Sequence, residues 1–210
     1  MSKAPILLIG AGGHARSCID VIEQEGRFAV AGLVGLQQEV GHRVLGYLVL
    51  GSDELLPDLV SGVSHVLISI GQIETVEPRL RVFGLLQEMG CELPVIISPL
   101  AYVSKHATLG AGTIVMHGAV VNAGASVGRN CIINSNALVE HDAAIADHCH
   151  IATAAVINGG VHIGAGTFVG SNTTVRQCVK IGERCLIGMA QGLMTDCETG
   201  ASIPVQKRSS

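Results

Sequence analysis

Nine histidines are the chain's main store of side chains able to move a proton near neutral pH. One of them stands apart. His141 is flanked by carboxylates on both sides, in Glu140-His141-Asp142. A carboxylate that accepts from one imidazole nitrogen fixes the tautomer and raises the basicity of the other, which makes a general base. Neighbouring strand residues point to opposite faces, so Asp142 can orient His141 only where the chain turns. The alternative reading of the same three residues is an exposed acidic corner. His150 follows nine residues later and could meet His141 on an adjoining face or across a subunit boundary. His117 and His162 sit beside inward aliphatics and are expected to face solvent. His42, His65 and His106 have no companions and receive no role.

A second candidate lies near the start. Gly10-Ala-Gly-Gly-His-Ala15 follows an apolar run, Ala4 to Ile9, and precedes a helical pattern over Arg16 to Glu25 that ends at Gly26. This G-x-G-x-x-A spacing is close to the dinucleotide fingerprint, in which backbone N–H groups and a helix N-terminus hold a phosphate. The full fingerprint also wants an acidic residue near the end of the second strand. Here Leu33-Val34-Gly35-Leu36 runs into Gln37 and Gln38, and Glu39 comes too late, which argues against NAD and leaves some other phosphate ligand. A tight turn that merely lets helix and sheet pack is the other reading.

The elements that must position these groups are of two kinds. From Val103 to Leu193 every sixth residue is a branched aliphatic, sixteen times without a slip. Two positions before each stands Ala, Cys, Thr or Val, except Gln191. The position after is often Gly or Asn, which suit corners because they tolerate unusual backbone angles. A six-residue period of this fidelity marks a parallel β-helix, with three hexads to a coil. Larger inward residues would overpack so narrow a prism. Before it, strands at Ala4–Ile9, Phe28–Val34, Leu48–Leu50, Val63–Ile70 and Leu93–Ile97 alternate with helices over Arg16–Glu25, Ser52–Val60 and Thr75–Met89, Ser52 serving as a cap. That alternation predicts a small parallel α/β sheet. The units are expected at 1–98 and 99–210, with Ser98-Pro99 as the passage between them.

Composition narrows the function classes. Hydrophobic residues make up 48% and aromatics 2%, a skew that fits a core of small aliphatics. The net charge is -4, and the largest basic cluster is the tail Lys207-Arg208, so nucleic acid is a poor partner. The longest apolar runs are too short to span a bilayer, and no signal-peptide order is present. Seven cysteines without a C-x-x-C, three of them (Cys131, Cys149, Cys185) in the inward small column, fit a reducing cytoplasm.

The order Ile-Gly-Ala-Gly-Gly-His, a small α/β unit, then hexads carrying Asn134-Ser-Asn-Ala-Leu-Val-Glu-His-Asp142, resembles the NeuD/PglD family of sugar acetyltransferases over nearly the whole chain. The resemblance implies a Rossmann-like nucleotide-sugar-binding unit followed by a left-handed β-helix. It implies a homotrimer with active sites in clefts between neighbouring coils. The implied activity is acetyl-CoA-dependent N-acetylation of a nucleotide-linked amino sugar, of the 4-amino-4,6-dideoxyhexose type, for surface polysaccharide or glycan synthesis. His141 would be the general base with Asp142 beside it, His150 would lie near the acyl group, and Asn134 would touch the sugar. The acetyl-CoA arm would pass Gly159, Ser171, Gly188, Met189 and Ala190, and Gly12, Gly13 and His14 would form the loop over the nucleotide. No metal is implied. Two departures stand out: Gly35-Leu36-Gln37 replaces the acidic residues common near the uridine or ribose, and the closing segment is reduced to Ala201-Ser-Ile-Pro-Val-Gln-Lys207.

Three other readings compete. The same base could activate a hydroxyl for O-acetylation of a sialic-acid-type sugar. His117, His141, His148, His150 and His162 could supply zinc ligands in an enzyme of the γ-carbonic-anhydrase type, given three convergent imidazoles. The coils could also be a purely structural solenoid.

Overall fold

The computed structural model describes residues 3–204 and divides the chain into two compact units. One comprises Met1–Gly71 and Glu77–Pro99. The other comprises Gln72–Val76 and Leu100–Ser210. The short segment Gln72–Val76 therefore leaves the first unit and packs with the second, an excursion that a single boundary at 98 does not contain.

The first unit is a five-stranded sheet. Its elements are β1 (Ala4–Ile9), α1 (Gly13–Glu25), β2 (Phe28–Val34), β3 (Arg43–Val44), β4 (Tyr47–Gly51), α2 (Leu56–Ser61), β5 (His65–Ile68) and α3 (Glu77–Glu88). The order across the sheet is β3-β4-β2-β1-β5, parallel throughout except for the β3–β4 hairpin. Near-continuous apolar runs make β1 and β5, as expected of strands covered on both faces. Leu7, Ile9, Val34, Val66, Ile68, Val82 and Leu86 are each at most 1% exposed and form one core.

Several boundaries differ from the sequence expectation. Helix α1 begins at Gly13, a full turn before Arg16, so the glycine turn itself opens the helix. The stretch after Ser52 starts as a 3-10 turn, Asp53–Leu55, and Ser52 makes no side-chain cap bond. Helix α3 begins at Glu77 because the preceding residues are drawn onto the coils. The final strand is paired only over Ile96–Ile97, with an isolated bridge from Glu92 to His65.

The second unit is a left-handed parallel β-helix. Sixteen two-residue strands, from Tyr102–Val103 to Gly192–Leu193, fall on the sixteen aliphatics, each aliphatic taking the second place. They stack in register on three faces. The first face runs from Tyr102–Val103 to Gly192–Leu193 in six strands, and the second from Thr108–Leu109 to Lys180–Ile181 in five. The third carries Ile114–Val115, Ile132–Ile133, His150–Ile151, Phe168–Val169, Leu186–Ile187 and finally Ser202–Ile203. The small column is buried from Thr113 to Cys185, so aliphatic and small residues share a dry interior. Burying each such aliphatic contributes about 1.5–3 kcal/mol, and stacking makes that gain additive from coil to coil.

The corners work differently from the expectation. Left-handed backbone recurs every six residues, at Gly112, Gly118, Gly124, Asn130, Asn136, Asp142, His148 and Ala154 and onward to Ala190, three places after each aliphatic from Leu109 to Ile187. The glycines directly after the aliphatics serve another need. A Cβ on Gly110, Gly164 or Gly170 would stand 2.5–2.6 Å from backbone atoms of the next coil. Close approach of stacked coils, not backbone freedom, selects glycine there. Near the end the period breaks. Ile181 bridges Cys197 and Ile187 pairs with Ile203, so that coil is shorter than the others. Of the closing segment, Val205, Gln206 and Lys207, like the tail residues Lys207-Arg208, lie outside the described residues.

Candidate active site

In the first unit, the carboxyl ends of β1, β2 and β5 meet the N-terminus of α1 around a cavity of about 580 Å³. That is the size of a small-ligand pocket and the position where open α/β sheets bind ligands. Gly12, Gly13 and His14 line it. The glycines of the turn divide into two sorts. Gly10 has φ +118°, and a Cβ there would meet Ile70 and Ser69 at 2.8–2.9 Å, so the fold itself demands glycine. Gly12 and Gly13 have no such constraint, and a Cβ on either would meet nothing within 4 Å. Their smallness opens the cavity side, where a ligand backbone or phosphate can approach the helix start.

Glu39 is also in this wall, which corrects the sequence argument that it comes too late. A 3-10 turn, Gln37–Glu39, folds it back so that its Oε2 accepts the Leu36 N–H at 2.8 Å, directly past the end of β2. The signal available was the three-residue spacing from Leu36, the spacing of a capping box. Asp53 and Arg81 line the same cavity and are ion-paired at 2.7 Å. Neither was singled out from sequence. Behind them the fully buried Arg79 donates to the carbonyls of Ile68 and Ile70, holding the turn after β5 in place. Cys18 in α1 is buried, and burial pushes its thiol up to about 12, which makes it inert as a nucleophile.

In the second unit, His141 and Asp142 stand on the corner that follows the first face. The chain does turn there: Asp142 is left-handed, with φ 59°. The turn brings its Oδ2 2.9 Å from His141 Nδ1, which must therefore be the protonated nitrogen. The hydrogen bond that His141 donates to Asp142 raises the His141 pKa above its ordinary value, with Glu140 adding in the same direction. Glu140 also accepts the His141 backbone N–H at 3.1 Å. The imidazole is exposed, and Nε2 has no protein partner among the described residues. One coil on, Gly159 lies beneath the ring, and a Cβ there would stand 2.7 Å from Cε1 and Nε2. Gly159 is thus what lets the imidazole lie flat along the coil.

His150 is the opposite case. It is 7% exposed, on the third face, packed edge-on to Phe168 with ring centroids 5.2 Å apart. Its Nδ1–H donates to the Gln72 carbonyl at 2.7 Å, and its Nε2 accepts from Asn134 Nδ2 at 3.0 Å. The Asn134 amide is oriented by its own Oδ1, which accepts the Ser135 N–H at 2.8 Å. Both ring nitrogens are satisfied with the imidazole neutral.

The remaining expected residues follow the same third face. Ser171, Gly188, Met189 and Ala190 share the corner of Asn134, with the Ala190 N–H bonded to the Ser171 carbonyl at 2.8 Å. Met189 is exposed and Ala190 left-handed. The structure therefore groups Asn134 with His150 and with the 171–190 residues, and groups His141 with Asp142 and Gly159 on the adjoining corner. Among the described residues of one chain, no hydrogen bond or ring contact joins His141 to His150 or Asn134.

The five histidines weighed as zinc ligands are scattered. His141 and His148 occupy different corners, His150 and His162 different faces, and His117 the corner of Asn134. Among the described residues no three His, Cys, Asp or Glu side chains converge as a metal site requires.

Both units of the chain match known proteins. Residues 5–82 match the model of the PglD N-terminal domain, and residues 160–189 that of the bacterial transferase hexapeptide (six repeats). A variant of perosamine N-acetyltransferase from Caulobacter crescentus, solved with CoA and GDP-perosamine, superposes with a TM-score of 0.90 at 30% identity, over 97% of this chain and 94% of that one. The chain belongs to the NeuD/PglD family of sugar acetyltransferases. The acetyltransferase domain of PglB from Neisseria gonorrhoeae FA1090, in complex with acetyl coenzyme A, gives a TM-score of 0.88 at 27% identity, over 97% of each chain. WeeI from Acinetobacter baumannii AYE shares the fold, with a TM-score of 0.82 at 20% identity, over 95% of this chain and 96% of that one. No curated protein matches the chain in sequence. The NeuD/PglD family thus accounts for both units at once, where the hexads alone account for one.

Proposed function

We propose that the chain transfers the acetyl group of acetyl-CoA to the amino group of a nucleotide-linked amino sugar of the 4-amino-4,6-dideoxyhexose type. The observation that carries this reading is His141: an exposed imidazole with its Nδ1 proton held by Asp142 and its Nε2 lone pair open above Gly159. Relatives crystallised with CoA, acetyl coenzyme A and GDP-perosamine support the substrate classes. The cavity at Gly12, Gly13 and His14 holds the nucleotide diphosphate, and the Glu39 carboxylate faces the hydroxyls or base beyond it.

The chemistry is one direct acyl transfer. The amine nitrogen forms its bond to the thioester carbon as the carbon–sulfur bond breaks. His141 Nε2 takes the proton that the amine loses, and the leaving thiolate receives a proton in turn. Asp142 keeps the imidazole in the competent tautomer and stabilises its charged form. Asn134 uses one amide hydrogen on His150 and has a second to offer the sugar. Gly159, Ser171, Gly188, Met189 and Ala190 give the pantetheine arm a path where the backbone can be approached closely.

The two groups of residues occupy adjoining corners of one prism, so a homotrimer completes the site by bringing His141 of one copy beside Asn134 of the next. No helix among the described residues is long and apolar enough to cross a membrane. All seven cysteines are free thiols, which supports a reducing cytoplasm. The deciding experiment is CoA-thiol release from acetyl-CoA with UDP-, GDP- and TDP-linked amino sugars, and with sialic acids as the hydroxyl control. Release with an amino sugar is expected. Release with sialic acid alone would replace the N-acetyl reading by O-acetyl transfer, and silence with every acceptor would overturn both.

A further inference from the structure

Gln72 is the least expected participant in the coil unit. It belongs to no strand or helix, yet only 2% of its surface is exposed. The segment Gln72–Val76 groups with the coils as a strap. Its two ends are seated on the same coil. Gln72 Nε2 donates to the Gly166 carbonyl at 3.1 Å, and Val76, 5% exposed, packs so closely that a Cβ on Gly166 would meet its Cγ1 at 3.2 Å. The seated strap brings the Gln72 carbonyl oxygen 2.7 Å from His150 Nδ1.

A carbonyl oxygen only accepts, so the nitrogen facing it must carry the proton. Nε2 then has a lone pair, and Asn134 Nδ2 donates to it at 3.0 Å. In the other tautomer two acceptors would face each other at Nδ1 and two donors at Nε2, each buried and unpaired. We infer that Gln72 is a positioning residue: by seating the strap on Gly166 it sets the tautomer of His150, which together with the Ser135 N–H holds the Asn134 amide presented to substrate. His150 acts here as a fixed spacer between a main-chain acceptor and a side-chain donor.

The kinetic part of this inference rests on the acetyltransferase reading; the tautomer part does not. Ring 15N shifts of His150 in uniformly histidine-labelled full-length protein, assigned by the signal lost in His150→Gln, report the tautomer directly. The wild type is expected as a single Nδ1–H form. Gln72→Ala, which cuts the seat on Gly166, is expected to give a mixture, and Gln72→Asn, too short to reach that carbonyl, the same. Asn134→Ala is expected to keep the Nδ1–H form, since the strap carbonyl remains. With the amino sugar, Gln72→Ala is expected to raise KM for the sugar roughly fivefold while leaving KM for acetyl-CoA within about twofold. A pure Nδ1–H signal in both Gln72 variants, or loss of that signal in Asn134→Ala, overturns the proposal. An inactive wild type with an unchanged tautomer pattern would count against the reaction and leave the strap standing.

Discussion

His141 and His150 are nine residues apart and chemically identical, yet a corner and a face treat them in opposite ways. His141 stands in solvent with one nitrogen paired and the other open. His150 is buried, with both nitrogens paired and a phenyl ring against its side. The contrast separates two uses of an imidazole. A base needs one free lone pair and a partner that favours the charged ring, and Asp142 supplies the second. A support needs a fixed tautomer, which two obligate partners supply.

Replacing His141 should have the largest effect. His141→Asn is expected to lower kcat by about 10²–10⁴-fold, the usual worth of a general base, with little change in KM. An equal loss in His150→Gln with intact folding would erase the distinction drawn above. Next comes Gly159→Ala. Its new Cβ would enter the space of His141 Cε1 and Nε2, and displacing a base by about an ångström costs on the order of a hundredfold. Circular dichroism should remain unchanged, because Gly159 does not need a left-handed backbone.

Asp142→Asn sharpens the comparison through pH. Because Asp142 raises the His141 pKa, the wild-type rate falls on acidification as pH passes down through that raised value and the base is protonated. Without the carboxylate the acidic limb of kcat/KM should move to lower pH, and the plateau should drop roughly tenfold to a hundredfold. A limb that stays in place would mean that another group sets it. His150→Ala is expected to cost least in rate, about tenfold and chiefly in KM for the sugar. It should also destabilise the coils by about 1–3 kcal/mol, because the Gln72 carbonyl and the Asn134 amide lose their partner. Thermal denaturation reads that loss, which His141→Ala should not show.

The solenoid was legible because its periodicity is local and redundant. Each hexad repeats the same steric demand, so the sixteen aliphatics landed on sixteen strands and the small column on the interior. The Asp142 turn was not legible in this way, because the corners were expected at the residue directly after each aliphatic and the left-handed residues fall three places after it. Glu39 was read wrongly because linear spacing along an extended strand does not foresee a 3-10 turn that folds a carboxylate back onto the strand end. The Gly10 turn contained two kinds of glycine that only their surroundings could tell apart.

By itself, then, the sequence determined the architecture of the coils, the parallel sheet before them, and which imidazole carries a carboxylate neighbour. These follow from steric and hydrogen-bonding rules acting over a few residues. Tertiary structure alone decided that His150 is buried behind Asn134, that Gln72 rather than a coil residue holds its other nitrogen, and that Gly159 makes room for His141. Those contacts join residues 16, 78 and 18 positions apart. Such pairs meet only when coils stack and a strap is laid across them, and no short window of sequence contains both partners.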